Sequence, residues 1–223
     1  MKIKLLISTL IKYFMGLLLV AALLFVPAGT LNYSGGWLLI GLLFGPMLIL
    51  GAVMLVKAPE LLEKRLNTKE KEDAQKSVVA LSALIFLVGF ILSALDFRLG
   101  WFQLPKPIVI IGAVVLVVSY GLYAEVMREN AYLSRTIEIQ KGQKVVDKGL
   151  YGIVRHPMYS VTITLFLSFP MVLGSGAGLI VFLVYPLLIV KRIKNEEKVL
   201  AEGLEGYTEY MRKVRWRIVP FVW

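Results

Sequence analysis

The segment Gly149-Leu-Tyr-Gly-Ile-Val-Arg-His-Pro-Met-Tyr-Ser160 holds the chain's single histidine, His156, beside Arg155 and between Tyr151 and Tyr159. A guanidinium, an imidazole and two phenols thus stand where a basic loop meets a long apolar stretch. Polar groups are costly to keep near hydrocarbon, so such a cluster marks a candidate site. Farther along, Lys191-Arg-Ile-Lys-Asn-Glu-Glu-Lys198 places Glu196 and Glu197 just beyond the next apolar stretch. Cations on one segment and carboxylates on another can hold a ligand carrying both signs of charge. The imidazole or a glutamate can also take a proton.

Each group has a plain structural reading too. His156 suits an interfacial hydrogen bond, and Arg155 can reach lipid phosphates. Tyr151 and Tyr159 suit interface anchors, and Glu196-Glu197 a solvated helix face.

These residues need a membrane scaffold. Of 223 residues, 58% are hydrophobic, and apolar stretches of spanning length recur. They are Tyr13 to Leu31, Gly35 to Val56, Ser77 to Leu95 and Ile108 to Ala124, followed by a longer block from Met158 to Val190. Gly174-Ser-Gly-Ala-Gly178 interrupts that block and predicts the tip of a helical hairpin with rather short arms. The expected fold is all-α and polytopic, with about six transmembrane helices and a small cytoplasmic cap. The first stretch exceeds the apolar core of a secretory signal and reads as a permanent span.

Charge orients the scaffold. Of 25 Lys and Arg, 23 fall in alternate connections and the termini; only Arg98 and Lys106 fall on the other side. This asymmetry predicts cytoplasmic termini and a cytoplasmic site. It also accounts for the net charge of +10 through an anionic inner leaflet, with no nucleic-acid partner. With no cysteine and one histidine, the sequence offers no disulfide, thiolate or histidine-rich metal site. Residues 1–127 are expected to supply helices and loops, and 128–223 the site, within one integrated membrane domain.

The connections differ. Pro59 to Leu66 is amphipathic and predicts an interfacial helix; Lys69-Glu-Lys-Glu-Asp73 is a solvated charge run. Ile137 to Val146 alternates apolar and polar residues, predicting a short extended stretch or hairpin before a turn at Asp147-Lys-Gly149. Pro157 disfavours helix at His156 but suits a helix's first turn, so a helix should start there with free amides for an anion.

The order Gly149-x-Tyr151, Arg155-His-Pro-x-Tyr159, apolar hairpin, Arg192, Glu196-Glu197, Tyr207, Arg215 and Pro220 resembles the isoprenylcysteine carboxyl methyltransferase family. The resemblance covers roughly Gln140 to Pro220, with Ser160 where another small residue is usual. It implies an integral membrane enzyme using S-adenosylmethionine. It also implies a cofactor pocket formed by Gln143, Val145, Gly149, Tyr151, Arg155, His156, Pro157, Tyr159, Glu196 and Glu197. Arg192 and Arg215 are then candidates for orienting an acceptor carboxylate, because guanidinium and carboxylate match bidentately. The acceptor expected is a lipophilic, isoprenylcysteine-like carboxylate. The wider superfamily includes phospholipid amine methyltransferases and sterol reductases, so an amine acceptor stays open. A small transporter and a non-enzymatic scaffold are the other competing classes, though the first four spans offer almost no charge for an ion path.

Overall fold

The computed structural model describes residues 2–66, 73–134 and 139–223. Its elements are α1 (Lys2–Ala28), α2 (Ser34–Lys57), α3 (Pro59–Leu66), α4 (Asp73–Leu99), α5 (Lys106–Glu129), a 3-10 turn (Gly149–Gly152), α6 (Pro157–Val172), α7 (Gly176–Phe182), α8 (Tyr185–Gly203) and α9 (Tyr207–Lys213). The protein is an all-α polytopic membrane protein, and the described residues contain no strand.

Among the described residues, five stretches are long and apolar enough to cross a membrane: Ile3–Ala28, Ser34–Lys57, Lys76–Leu99, Lys106–Glu129 and Gly176–Gly203. The sixth apolar element, α6, has 16 residues. At about 1.5 Å per residue it reaches roughly 24 Å, short of a bilayer core of about 30 Å. Only one hairpin arm is therefore short as a whole. The other arm is α7 and α8 in series, interrupted at Leu183-Val184, with Pro186 supplying no amide at the start of α8. The tip falls at Gly174, whose φ of +72° favours glycine.

Three connections meet at one end of the bundle. Tyr33 donates its hydroxyl to the Leu173 carbonyl at 3.1 Å, and the Leu104 amide donates to the Gly174 carbonyl at 2.8 Å. Asp96, fully buried near the end of α4, joins two of them. Its carboxylate accepts from the Phe102 amide at 2.7 Å and the Ser175 hydroxyl at 2.5 Å, and its carbonyl accepts from Gln103 at 2.7 Å. One acid thus fastens the hairpin tip to the α4–α5 loop.

Helix contacts are close where glycine permits. A Cβ on Gly112 would lie 2.6 Å from the Met171 Cβ, so α5 and α6 approach backbone to backbone. A Cβ on Gly89 would lie 2.4 Å from the Phe182 ring. Phe182 therefore seats on α4 within a cluster of Phe86, Phe90, Phe166, Phe169 and Tyr185.

At the opposite end lie α3, residues 130–134 and 139–156, α9 and the C-terminal tail. Among the described residues, the extended stretch or hairpin expected before Asp147 forms no ladder: residues 139–148 are irregular, with a turn at Lys141-Gly142. Ile137, Glu138 and most of the 69–73 charge run lie outside the described residues. A helix does begin at Pro157, as expected. Its free amides are fewer than expected, because those of Tyr159 and Ser160 donate to the His156 carbonyl at 3.0 and 3.2 Å.

Replacing Asp96 with alanine would leave the Ser175 hydroxyl and the Phe102 amide without their acceptor. Unsatisfied buried donors cost about 1–3 kcal/mol each. Asp96→Ala is expected to lower the thermal midpoint in detergent by several degrees, and Asp96→Asn by less. An unchanged midpoint in both would show that Asp96 does not fasten the tip.

Candidate functional site

Arg155, His156 and Glu197 are each more than nine-tenths buried. The Arg155 Nε and Nη2 donate to one Glu197 oxygen at 2.8 and 2.7 Å, and His156 Nε2 lies 3.3 Å from the same oxygen. Arg217 Nε donates to the other oxygen at 2.8 Å. The remaining Arg155 nitrogen, Nη1, caps the Val214 and Arg215 carbonyls at 2.7 and 3.0 Å. The backbone locks the same junction: the amides of Arg155 and His156 donate to the Trp216 and Arg217 carbonyls, both at 2.8 Å. The C-terminal tail is therefore tied across the start of α6 and the end of α8.

Glu196 and Glu197 diverge because successive helical residues point about 100° apart. Glu197 enters the knot. Glu196 turns to Tyr159, whose hydroxyl donates to it at 2.5 Å while accepting from Arg192 Nε at 2.8 Å. Tyr159, Glu196 and Arg192 line a cavity of about 400 Å³.

The cavity has two ends of different chemistry. Gln143, Val145, Tyr151, Tyr207 and Tyr210 enclose a polar end under the cap. The Tyr210 hydroxyl is tied to the Tyr151 carbonyl at 2.7 Å. The Tyr207 hydroxyl is buried and has no hydrogen-bond partner among the described residues. Burial, then the negative charges of Glu196 and Glu197, push the Tyr207 phenol well above its ordinary range, so it keeps its proton. At the other end, Val78, Val79, Ser82, Ala83 and Phe86 of α4 face Phe166, Tyr185 and Ile189. The edge-on contact of Phe86 with Phe166, centroids 4.7 Å apart, bridges α4 and α6 at this apolar end.

Seven of the ten residues expected around a cofactor line the cavity: Gln143, Val145, Tyr151, Arg155, His156, Tyr159 and Glu196. Gly149, Pro157 and Glu197 do not, and each has a structural task. Gly149 has φ +58°, and a Cβ there would lie 1.8 Å from Glu129, which accepts the Leu150 amide at 2.9 Å. Pro157 starts α6, and Glu197 centres the knot. Of the two arginines expected to orient an acceptor, Arg192 lines the cavity, whereas Arg215 is exposed and contributes its carbonyl to Arg155. Sequence reasoning did not assign Arg65, Tyr207, Arg217 or the α4 stripe. Leu61 and Arg65 are four apart on a short amphipathic helix, and that spacing was the available signal for an inward Arg65.

The polar end could hold a cofactor that carries an amine or hydroxyls and a cationic centre. Glu196 offers an acceptor for an amine or ribose hydroxyl, and Tyr207 offers an unused hydroxyl. Aromatic rings at Tyr151, Tyr207 and Tyr210 can face a sulfonium.

This division of labour separates two adjacent acids experimentally. Removing one partner of a buried pair typically costs about 3–5 kcal/mol. Glu197→Ala is expected to lower the thermal midpoint and speed hydrogen exchange across residues 207–217. Glu196→Gln is expected to keep the midpoint within a few degrees while weakening S-adenosylmethionine binding at least tenfold. The reverse pattern would exchange the two assignments.

The family model described as isoprenylcysteine carboxyl methyltransferase (ICMT) family matches residues 109–202. Curated relatives include a Delta(14)-sterol reductase of Arabidopsis thaliana, 25% identical over 143 residues, covering 56% of this chain and 38% of that protein. A Delta(14)-sterol reductase of Mus musculus is 29% identical over 91 residues, and one of Methylotuvimicrobium alcaliphilum is 29% identical over 93. Each of these two matches covers 40% of this chain and 22% of the relative. The chain thus spans well under half the length of these relatives. The family match supports a membrane methyltransferase and takes in α6, Arg155, His156 and both glutamates. The similarity to the isoprenylcysteine carboxyl methyltransferase family is thus confined to residues 109–202 of this chain.

Proposed function

We propose that this protein is an integral membrane methyltransferase that transfers a methyl group from S-adenosylmethionine to a lipophilic carboxylate. The observation that carries this reading is the single cavity joining the polar, glutamate-bearing end to the apolar α4 stripe. A water-soluble cofactor and a membrane-soluble acceptor need such a meeting place.

When bound, S-adenosylmethionine supplies an electrophilic methyl carbon on a sulfonium. A carboxylate is ionised at neutral pH and needs no general base, so the chain's work is positioning and exclusion of water. Glu196 and Tyr207 hold polar groups at the cap. Arg192, steadied by its bond to Tyr159, faces the acceptor carboxylate. The α4 stripe and the Phe86–Phe166 contact wall its apolar portion from water. The 23 to 2 charge split supports a cytoplasmic position for the capped end, where a soluble cofactor is found.

The sterol reductase relatives favour a second reading, hydride transfer to a lipophilic alkene. Its reductant would be a dinucleotide such as NADPH, held in the same polar end. The two reactions leave different marks on the product.

Membranes containing the protein are expected to convert methyl-labelled S-adenosylmethionine and a lipophilic carboxylic acid into a base-labile methyl ester. Arg192→Ala should lower turnover roughly 10- to 100-fold with a much smaller effect on cofactor affinity. Label recovered only as base-stable N-methyl lipid would reject the carboxylate. Deuterium transferred from labelled NADPH to a sterol, with no methyl transfer, would establish the reductase reading. Reporter fusions after Leu104, Lys144 and Trp223 are expected to score outside, inside and inside. An outside score at both Lys144 and Trp223 would invert the orientation.

A further inference from the structure

We propose that Arg65 is a second guanidinium for the acceptor's carboxylate, acting with Arg192 to hold that anionic head at the cavity wall while the apolar tail lies along α4. The inference rests on the reading of this cavity as the meeting place of cofactor and amphiphile. Arg65 lies outside residues 109–202, in the half of the chain that the family match does not describe.

Helix α3 aims this side chain inward. Leu61 and Leu62 are buried against Met54, Val126, Met127 and Met158, and Lys12 Nζ grips the Leu66 carbonyl at 2.6 Å. Arg65 follows Leu61 by four residues, so it leaves α3 from the buried face and reaches the cavity. A side chain reaching only for lipid phosphates would leave from the opposite, solvated face.

Its partners leave the charge unanswered. Arg65 Nη2 donates to the Tyr123 hydroxyl, Nη1 lies 3.4 Å from the Ser134 carbonyl, and the guanidinium sits 5.5 Å from the Tyr123 ring centroid. All are neutral groups, and no described carboxylate pairs with it. Arg155 differs: its three nitrogens are fully engaged by Glu197 and two carbonyls. Lys144, another lining cation, is exposed on the cap. Arg65 is therefore a half-buried, pre-oriented guanidinium whose natural complement is an anion brought by the ligand. Val78 and Val79 open the apolar stripe on the same cavity wall system, which matches a ligand with one anionic head and one hydrocarbon tail.

The test uses the full-length protein in detergent with two probes of equal length, dodecanoic acid and dodecanol. Affinities of each variant are taken relative to wild type, so partition into detergent cancels. Arg65→Gln is expected to weaken dodecanoic acid roughly 10- to 100-fold, the worth of a charge-assisted pair. Its affinities for dodecanol and for S-adenosylmethionine should stay within about twofold. Arg65→Lys, which keeps the charge but loses the fork, should weaken the acid by less and leave the alcohol unchanged; it carries the comparison should Arg65→Gln not fold. Equal losses for acid and alcohol would make Arg65 only a brace between α3 and α5 and overturn the proposal, as would unchanged acid binding. Arg65-dependent acid binding without any methyl ester would keep this anchor and reject carboxyl methylation. Methyl ester formation with acid affinity indifferent to Arg65 would do the opposite.

Discussion

The carboxylate of Glu197 is the constraint on which the capped end of the bundle depends. From α8 it gathers the adjacent Arg155 and His156, just before α6, and Arg217 of the C-terminal tail, in a place almost closed to water. Such a group is stable only when each charge is paired and each remaining hydrogen atom finds an acceptor. Arg155 meets that condition by capping two carbonyls of the tail. The consequence is geometric: α6, α8 and the C-terminal tail cannot shift independently, and the cavity they bound keeps its shape. The residues that look most catalytic in the sequence are thus largely its frame, while Tyr159, Glu196, Arg192 and Tyr207 present polar groups to the cavity itself.

Asp96 plays the corresponding part at the far end, where it fixes the hairpin tip. Between these two polar fasteners the bundle is held by glycine-permitted backbone contact and aromatic packing. In lipid, helices gain little from hydrophobic burial alone, so close packing and a few buried hydrogen bonds set their arrangement. The short α6 belongs to this scheme. It starts at Pro157 inside the knot and ends under Asp96's hydrogen-bonded loops, so both its ends are tied.

Much of the fold was legible because hydropathy, helix-breaking residues and loop charge are local properties. The spans, the turn near Gly174 and the helix start at Pro157 follow from them. The cap was not legible in the same way. The 139–148 stretch alternates like a strand yet has no neighbouring strand to pair with among the described residues, and pairing is a property of the partner. Adjacent Glu196 and Glu197 are equivalent in sequence, and only the position of Arg155 decides which enters the knot. In the non-helical tail no periodicity shows that Arg217 turns inward while Arg215 faces out. The α4 stripe was hidden because a helix apolar on all sides does not reveal which face meets lipid and which meets a cavity.

We propose that the polar end of the cavity takes S-adenosylmethionine and the apolar end a membrane amphiphile. Calorimetric titration of the purified protein with S-adenosylmethionine, its demethylated product and NADPH tests it most directly. Saturable one-to-one binding of the first two is expected, weakened by Glu196→Gln and by Tyr207→Phe, with no binding of NADPH. Saturable binding of NADPH with none of S-adenosylmethionine would contradict it.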